Sequence, residues 1–363
     1  MIQVSKPSVG EEELQRVRQV FSSGWLGMGS ETEQFEEKVK EFLGAKHVVA
    51  VSSGTAALHL ALEALNLPYH TRAEVIVPSL TFAASIQAIL NAGLKPVFCE
   101  VNPETLNIDP EDVKRKFSDY TCAIMPVHFR GLACDMEGLY NSSCGNYLIQ
   151  DAAHAFGSYY KKCLIGSSGF AVCFSFDPIK TITCGEGGAI ATNSSSLAEI
   201  LKLTRNVGRL HRSTSETGSE IRTHGWRYHM SNINAAIGLA QLDKMKSFTK
   251  RRWEIVNQYD KAFSELGWFK PFYNDPGMVP FIYMARVPTH RNSLMEHLKK
   301  RGVDSSITYV PCHMQPFFKQ FSHERLPITE SLFNEIITIP LYTDMTNEDV
   351  ETVICGVLSF KEI

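Results

Sequence analysis

The sequence predicts a three-layer α/β fold on a mostly parallel central sheet, followed by a smaller C-terminal α+β domain. Three observations carry that expectation. Short apolar runs recur at 74–79, 95–101, 121–127, 146–152, 169–176 and 187–192 without strict polar alternation, which is how strands covered on both faces read. Helical stretches such as 81–91 and 109–117 separate several of these runs, as βαβ units require. A long helical region at about 233–266 then leads into a hundred residues of mixed pattern.

The elements follow in order. In "SETEQFEEKVKEFL" at 30–43, Ser30 stands three residues before Glu33, a capping-box pattern. Phe35, Val39, Phe42 and Leu43 then share one helical face, and Gly44 ends it. The β-branched run 47–51 turns through Ser52, Ser53 and Gly54 into a helix that begins near Thr55. The unpaired amides of such a helix start suit an anion, although many ordinary α/β turns share the pattern. The runs at 169–176 and 187–192 lie so close together that an antiparallel member is expected there. The long helix bridges a large domain, placed at 1–245, and a small one at 246–363. Within the latter, "VPFIYMARV", "RNSLMEHLKKRG" and "EDVETVICGVLSF" predict two helices packed on a small sheet. The polar stretch 211–225 reads as a mobile loop, and neither a repeat nor a low-complexity tract is present.

Composition narrows the function classes. A chain of 363 residues divides more naturally between two cores than one. Lys plus Arg number 36 against 39 Asp plus Glu, and the net charge of −3 gives no bulk attraction to nucleic acid. No apolar run reaches the roughly 20 residues that span a bilayer. The start "MIQVSKPSVGEEEL" lacks the basic and apolar stretches of a signal peptide. These features point to a cytoplasmic protein that engages neither nucleic acid nor membrane. The nine cysteines are scattered without a C-x-x-C pair and read as buried free thiols in a reducing compartment. Cys134 with Cys144 is a poor nucleus for a zinc site, so no metal is expected.

Four local features carry the chemistry. "SSGTAAL" offers hydroxyls at Ser53 and Thr55 around a glycine turn. "YLIQDAAHAFG" puts Asp151 directly after an apolar strand, among small residues that leave space above it; a ligand contact and a helix N-cap both fit that position. His154 could face the same space or be structural. Ser175 and Lys180 flank "FDPI", where Pro178 stiffens the turn that carries the lysine, and "CGEGGAI" lets the chain approach a neighbour closely. The glycines do not have Walker spacing, and "GWLGMG" at 24–29 follows no strand, which argues against a dinucleotide fingerprint. A hydroxyl-bearing helix start for a phosphate, a carboxylate for a pyridine nitrogen and a lysine for an aldehyde together match the needs of pyridoxal 5'-phosphate (PLP).

The sequence resembles the DegT/DnrJ/EryC1/StrS family of sugar aminotransferases, PLP enzymes of the aspartate aminotransferase fold, fold type I. The matching pieces include "IVPSLTFAAS", "IMPVHFRG", "IQDAAHAFGS", "FSFDPIKTITCGEGGAI", "MSNINAAIGLAQL" and "YVPCHMQPFF", in family order across roughly residues 20–320. The resemblance implies that Lys180 bonds the cofactor aldehyde as an imine and moves protons, and that Asp151 partners the pyridine nitrogen. It implies that His154 stands near the cofactor's phenolic oxygen, that Gly54, Thr55 and Ser175 bind phosphate, and that Phe82 packs against the ring. Tyr309 and His313 fall in the segment that approaches the sugar nucleotide in relatives. One departure stands out. Where relatives read G-x-N-Y-R, this chain reads "HGWRYHMSN", with Arg227 at the Asn position and His229 at the Arg position. The family's Asn reaches the phosphate in the neighbouring subunit, and arginine can also grip phosphate.

The resemblance further implies a homodimer with shared active sites. L-glutamate is the implied amino donor, and a nucleotide-linked keto-sugar, most often a 4-keto-6-deoxy-hexose, the acceptor. Relatives in which histidine replaces the lysine are sugar dehydratases, whereas Lys180 is retained here. A regulatory or scaffold protein on this fold would not need Asp151, Ser175 and Lys180 together.

Overall fold

The computed structural model describes residues 1–65, 72–143, 145, 147–209, 220–322 and 324–361. Among them the large domain opens with α1 (Glu11–Ser23), α2 (Ser30–Leu43), β1 (His47–Val51) and α3 (Gly54–Glu63). It continues with β2 (Glu74–Pro78), α4 (Ala83–Asn91), β3 (Lys95–Cys99), α5 (Pro110–Lys116), β4 (Thr121–Ile124), α6 (Met136–Ser142) and β5 (Tyr147–Asp151). A separate hairpin of β6 (Tyr159–Tyr160) and β7 (Cys163–Leu164) precedes β8 (Ala171–Ser175), β9 (Gly188–Thr192) and α7 (Ser195–Arg205). The 32-residue α8 (Asn232–Phe263) then leaves the domain.

The central sheet runs β1-β9-β8-β5-β4-β2-β3. β9 is antiparallel to both of its neighbours, and the remaining pairs are parallel, so the expected antiparallel member is present. Successive residues of one strand enter opposite cores. Val49 and Val51 of β1 join Leu58, Leu62, Ile86 and Leu201 from α3, α4 and α7. Val48 and Ala50 join Phe35, Val39, Leu239 and Met245 from α2 and α8. Further along, Ile76 and Ile124 pack with Val113 and Leu139 of α5 and α6. Each buried Val, Ile, Leu, Phe or Met among them stabilises the fold by about 1.5–3 kcal/mol relative to exposure, which is why the strands need no polar face.

The small domain holds the antiparallel sheet β10 (Lys270–Pro271), β11 (Tyr283–Arg286) and β12 (Ile336–Ile339). The helices α9 (Arg291–Lys300), α10 (Pro327–Glu335) and α11 (Asn347–Leu358) accompany it. Leu294 and Leu298 of α9 and Val350, Val353 and Val357 of α11 pack with β11, β12 and the end of α8, the two helices on a small sheet that the sequence predicts. The first residues also belong to this body. Ile2 bridges Val303, and Val4 accepts a hydrogen bond from the Leu341 amide at 3.1 Å.

Three expectations change. Ser30 is the first residue of α2 rather than its cap; Gly29 caps the helix, and Asn232 Oδ1 accepts from the Thr32 amide at 3.3 Å, a cap brought in from α8. The cysteines are not uniformly buried, because Cys163 lies on the surface hairpin and Cys355 on the outer side of α11, both exposed, while Cys122 is half-buried. Cys144 and most of the loop expected to be mobile, 211–219, lie outside the described residues. The described remainder, 220–225, is tied down through Arg222, whose amide donates to Gly208 O at 2.8 Å. No helix among the described residues is long and apolar enough to cross a membrane.

Candidate active site

The site lies where parallel strands end, beyond the carboxyl end of β5, the place open α/β sheets reserve for ligands. It begins with a close approach of three backbones. β9 pairs with β1 and β8, which sets Gly188 against Val51 and Ser175. A Cβ on Gly188 would stand 2.3 Å from Ser53 O, and one on Gly54 would stand 2.7 Å from Ser175 Cβ. Only glycine permits that packing. It brings the start of α3, capped by Ser53 Oγ accepting from the Ala56 amide at 3.1 Å, against the end of β8. The free first-turn amides of α3 therefore open onto the neighbouring space.

That space is a cavity of about 240 Å³, lined among others by Gly54, Thr55, Phe82, Asp151, His154, Ser175, Lys180 and Tyr309. Asp151 ends β5, and no helix follows it, so the N-cap reading falls away. Its Oδ1 accepts from the Ala153 amide at 3.1 Å and its Oδ2 from Ser85 Oγ at 2.8 Å. Ser85 is in turn paired with Thr81 Oγ1 at 2.9 Å. Burial pushes the Asp151 carboxyl upward from its ordinary range, while Ser85, the Ala153 amide and the charge of Lys180 hold it down.

Lys180 closes a turn in which its amide donates to Asp177 O at 3.1 Å, and Asp177 Oδ1 accepts from the Ile179 amide at 3.1 Å. Pro178 lies inside this turn, so the amine springs from a stiffened backbone. Burial pushes the ammonium below the ordinary lysine range, against the opposing charges of Asp177 and Asp151. His154 is 4 % exposed, and burial, reinforced by the charge of Lys180, holds its imidazole well below the usual value and therefore neutral at pH 7. Its Nε2 lies 3.4 Å from Tyr309 Oη, and its buried Nδ1 has no hydrogen-bond partner among the described residues. Phe82 is 56 % exposed at the cavity mouth, 5.5 Å from the Tyr309 ring.

Two expected residues stand apart. His313 is buried outside the cavity lining, with Nδ1 2.6 Å from Ser79 Oγ and Nε2 3.5 Å from Glu330, and joins two parts of the scaffold. Arg227 is exposed on a segment that bridges Asn206 and does not reach the cavity of its own chain. His229 contacts Asn206 Oδ1 through Nε2 at 2.9 Å. The sequence reading missed Thr81, Ser85 and Phe281. Ser85 had a usable signal, a hydroxyl in "TFAAS" at the start of an apolar helix. Phe281, within "VPFIYMARV", reads only as core.

The mixed α/β architecture with its mostly parallel central sheet matches the sugar aminotransferases of PLP fold type I. Residues 7–358 match the DegT/DnrJ/EryC1/StrS aminotransferase family. The chain belongs to that family and is an aminotransferase. It is 34% identical over 369 residues to the spore coat polysaccharide biosynthesis protein SpsC of Bacillus subtilis, covering 96% of this chain and 94% of SpsC. Helicobacter pylori PseC, an aminotransferase involved in the biosynthesis of pseudoaminic acid, has a similar structure with a TM-score of 0.92 at 28% identity, covering 98% of each chain. The PLP-form of the sugar aminotransferase Spr1654 from Streptococcus pneumoniae superimposes with a TM-score of 0.90 at 27% identity, covering 97% of this chain and 96% of its own.

Ser85→Ala removes one of the two hydrogen bonds that hold Asp151 ionised. The carboxyl titration, followed by infrared difference spectroscopy, should move to higher pH than in the unmodified protein. An unmoved or lowered titration would show that Ser85 does not stabilise the charge.

Proposed function

We propose that this protein is a PLP-dependent aminotransferase that moves an amino group from L-glutamate to a nucleotide-linked keto-sugar, a 4-keto-6-deoxy-hexose, in the cytoplasm. Its product would be an amino sugar for a surface polysaccharide or related glycan. The observation that carries this reading is the convergence of Lys180, Asp151 and the start of α3 on one cavity. The names of SpsC and PseC support a sugar acceptor.

The residues fit the cofactor. The buried His154 Nδ1 lacks a partner that a cofactor oxygen would supply. The Gly54–Ser175 contact forms a cradle that any larger residue at 54 would fill. Gly54, Thr55 and Ser175 would hold the phosphate, Asp151 the ring nitrogen, Phe82 the ring face and Lys180 the aldehyde. PLP, when bound, supplies an aldehyde that bonds amines and a ring that takes up the electrons left by a departing proton. Asp151 would keep a proton on the ring nitrogen by accepting its hydrogen bond, a charge pairing that acts most strongly in a water-poor cavity. With PLP bound, Lys180 Nζ, whose charge burial disfavours, would be the base that takes the α-proton of L-glutamate and the acid that returns a proton. Tyr309 and the neutral His154 close the side of the cavity next to Phe281 and Phe129.

The cavity also defines a charge requirement. Among its described lining residues Lys180 is the sole lysine or arginine, whereas Asp151, Asp177 and Glu186 are all acidic. A phosphate dianion therefore needs a cation from elsewhere. We assign that role to Arg227 of the partner subunit in a homodimer with shared sites; its exposure in the single chain suits a residue that serves another.

Full-length enzyme converted to its pyridoxamine form should regain the aldehyde absorbance with nucleotide-linked 4-keto-6-deoxy-hexoses and not with the free sugars. Lys180→Ala should lose about 10²- to 10⁴-fold in turnover from the missing proton transfer alone. Unchanged turnover, or equal response to free sugars, would overturn the respective part of the reading. For the shared site, mixing inactive Lys180→Ala and Arg227→Ala chains should recover roughly a quarter of wild-type activity, because half the dimers then hold one intact site of two. No recovery on mixing, with both variants folded and dimeric, would refute sharing.

A further inference from the structure

Phe281 comes from the chain between β10 and β11 and belongs to the apolar cluster joining the two domains, where it is 3% exposed. Its backbone is fixed from two sides. Its amide donates to Arg130 O at 3.1 Å, in the loop after β4. Its carbonyl accepts from Arg252 Nη1 on α8 at 3.1 Å, and the same nitrogen reaches Pro280 O at 3.2 Å. Arg252 is itself buried, so the segment is bolted to the long helix at the point where α8 passes between the domains.

The ring held this way meets the two groups that matter most. Lys180 Nζ lies over it, 4.9 Å from the centroid. The His154 ring stacks on it at 4.2 Å with an interplanar angle of 24°. An aromatic face is electron-rich, so it attracts an ammonium and favours it over the neutral amine. The ring's bulk also limits where the amine can rest when it is not bonded elsewhere.

We propose that Phe281 is a positioning residue for the acting lysine: its ring face seats the released Lys180 amine and fixes the His154 ring beside it. The proposal rests on the reading of Lys180 as the amine that bonds PLP. Other groups also set the charge of Lys180. Asp151 from β5 and Asp177 from the turn favour the ammonium, His154 lies near enough to feel it, and Glu186 and Tyr309 line the same cavity. Asp151, Asp177 and Glu186 are unchanged when only residue 281 is altered, and a substitution that keeps the ring's shape also keeps the surface on which His154 stacks, so the contribution of the ring's charge can be isolated.

The test uses full-length chain freed of cofactor, titrated with PLP across pH, reduced with borohydride and mapped by mass spectrometry. Phe281→Leu keeps apolar bulk and loses the aromatic face. Pentafluorophenylalanine at 281 keeps the ring's shape while reversing the charge of its face, and covers the case in which the leucine variant fails to fold. Because imine formation needs the neutral amine, losing the ring's attraction should move the pH midpoint of Lys180 labelling downward by about half to one unit in each variant. Phe281→Tyr should restore the wild-type midpoint. Labelling at Lys180 with an unmoved midpoint in both ring-altered variants would overturn the role of Phe281 alone. Absence of label on Lys180 in the wild type would overturn the reading beneath it.

Discussion

A carboxylate buried at the end of the central strand is the constraint around which this protein is organised. Removing Asp151 from water costs several kcal/mol unless the charge is met by donors or an opposite charge. The fold meets it three ways: with the Ser85 hydroxyl from α4, with the Ala153 amide from its own turn, and with Lys180 nearby. Each donor comes from a different chain segment, and β5 sits in the middle of the seven-stranded order, where both flanking strands restrain it. The same burial that makes the carboxylate expensive depresses the lysine and keeps His154 neutral. One physical cause thus shifts the titration of three groups, upward for Asp151 and downward for Lys180 and His154.

The second organising feature is the junction between the cores. Leu80, Val127 and Phe129 from the large domain pack against Phe272, Phe281 and Met284 from the small one, with Tyr309 at the edge. Residues contributed by the C-terminal half therefore form one wall of a site whose reactive groups belong to the N-terminal half. Arg130, fully enclosed, donates to Tyr273 O across the junction, and the buried Arg252 ties the Phe281 segment to α8 on the small-domain side. Such buried guanidinium groups are costly by themselves; here each is met by backbone carbonyls, Arg130 across the junction and Arg252 within the wall.

The sequence disclosed much of this because strands covered on both faces and glycine turns leave local signatures. The apolar runs foretold the strands, and Asp151, Ser175 and Lys180 each stood beside a strand end or a stiff turn. What escaped was set by long-range contact. The cap of α2 comes from Asn232, about two hundred residues away. The burial of His313 against Ser79 follows from how the small-domain segment docks, so its chemistry looked available when its surroundings were unknown. Phe281 carried no local mark, since an aromatic in an apolar run looks the same whether it faces a core or a lysine. Arg227 was visible as a departure from the family pattern, but among the described residues it does not line the cavity of its own chain.

The measurement that bears most directly on the central claim is the protonation state of the ring nitrogen of bound, isotopically labelled PLP, read by nitrogen NMR at neutral pH. With Asp151 ionised beneath it, the nitrogen should carry a proton in the wild-type protein and lose it in Asp151→Ala. An unprotonated nitrogen in the wild type, or an identical signal in both proteins, would contradict the account.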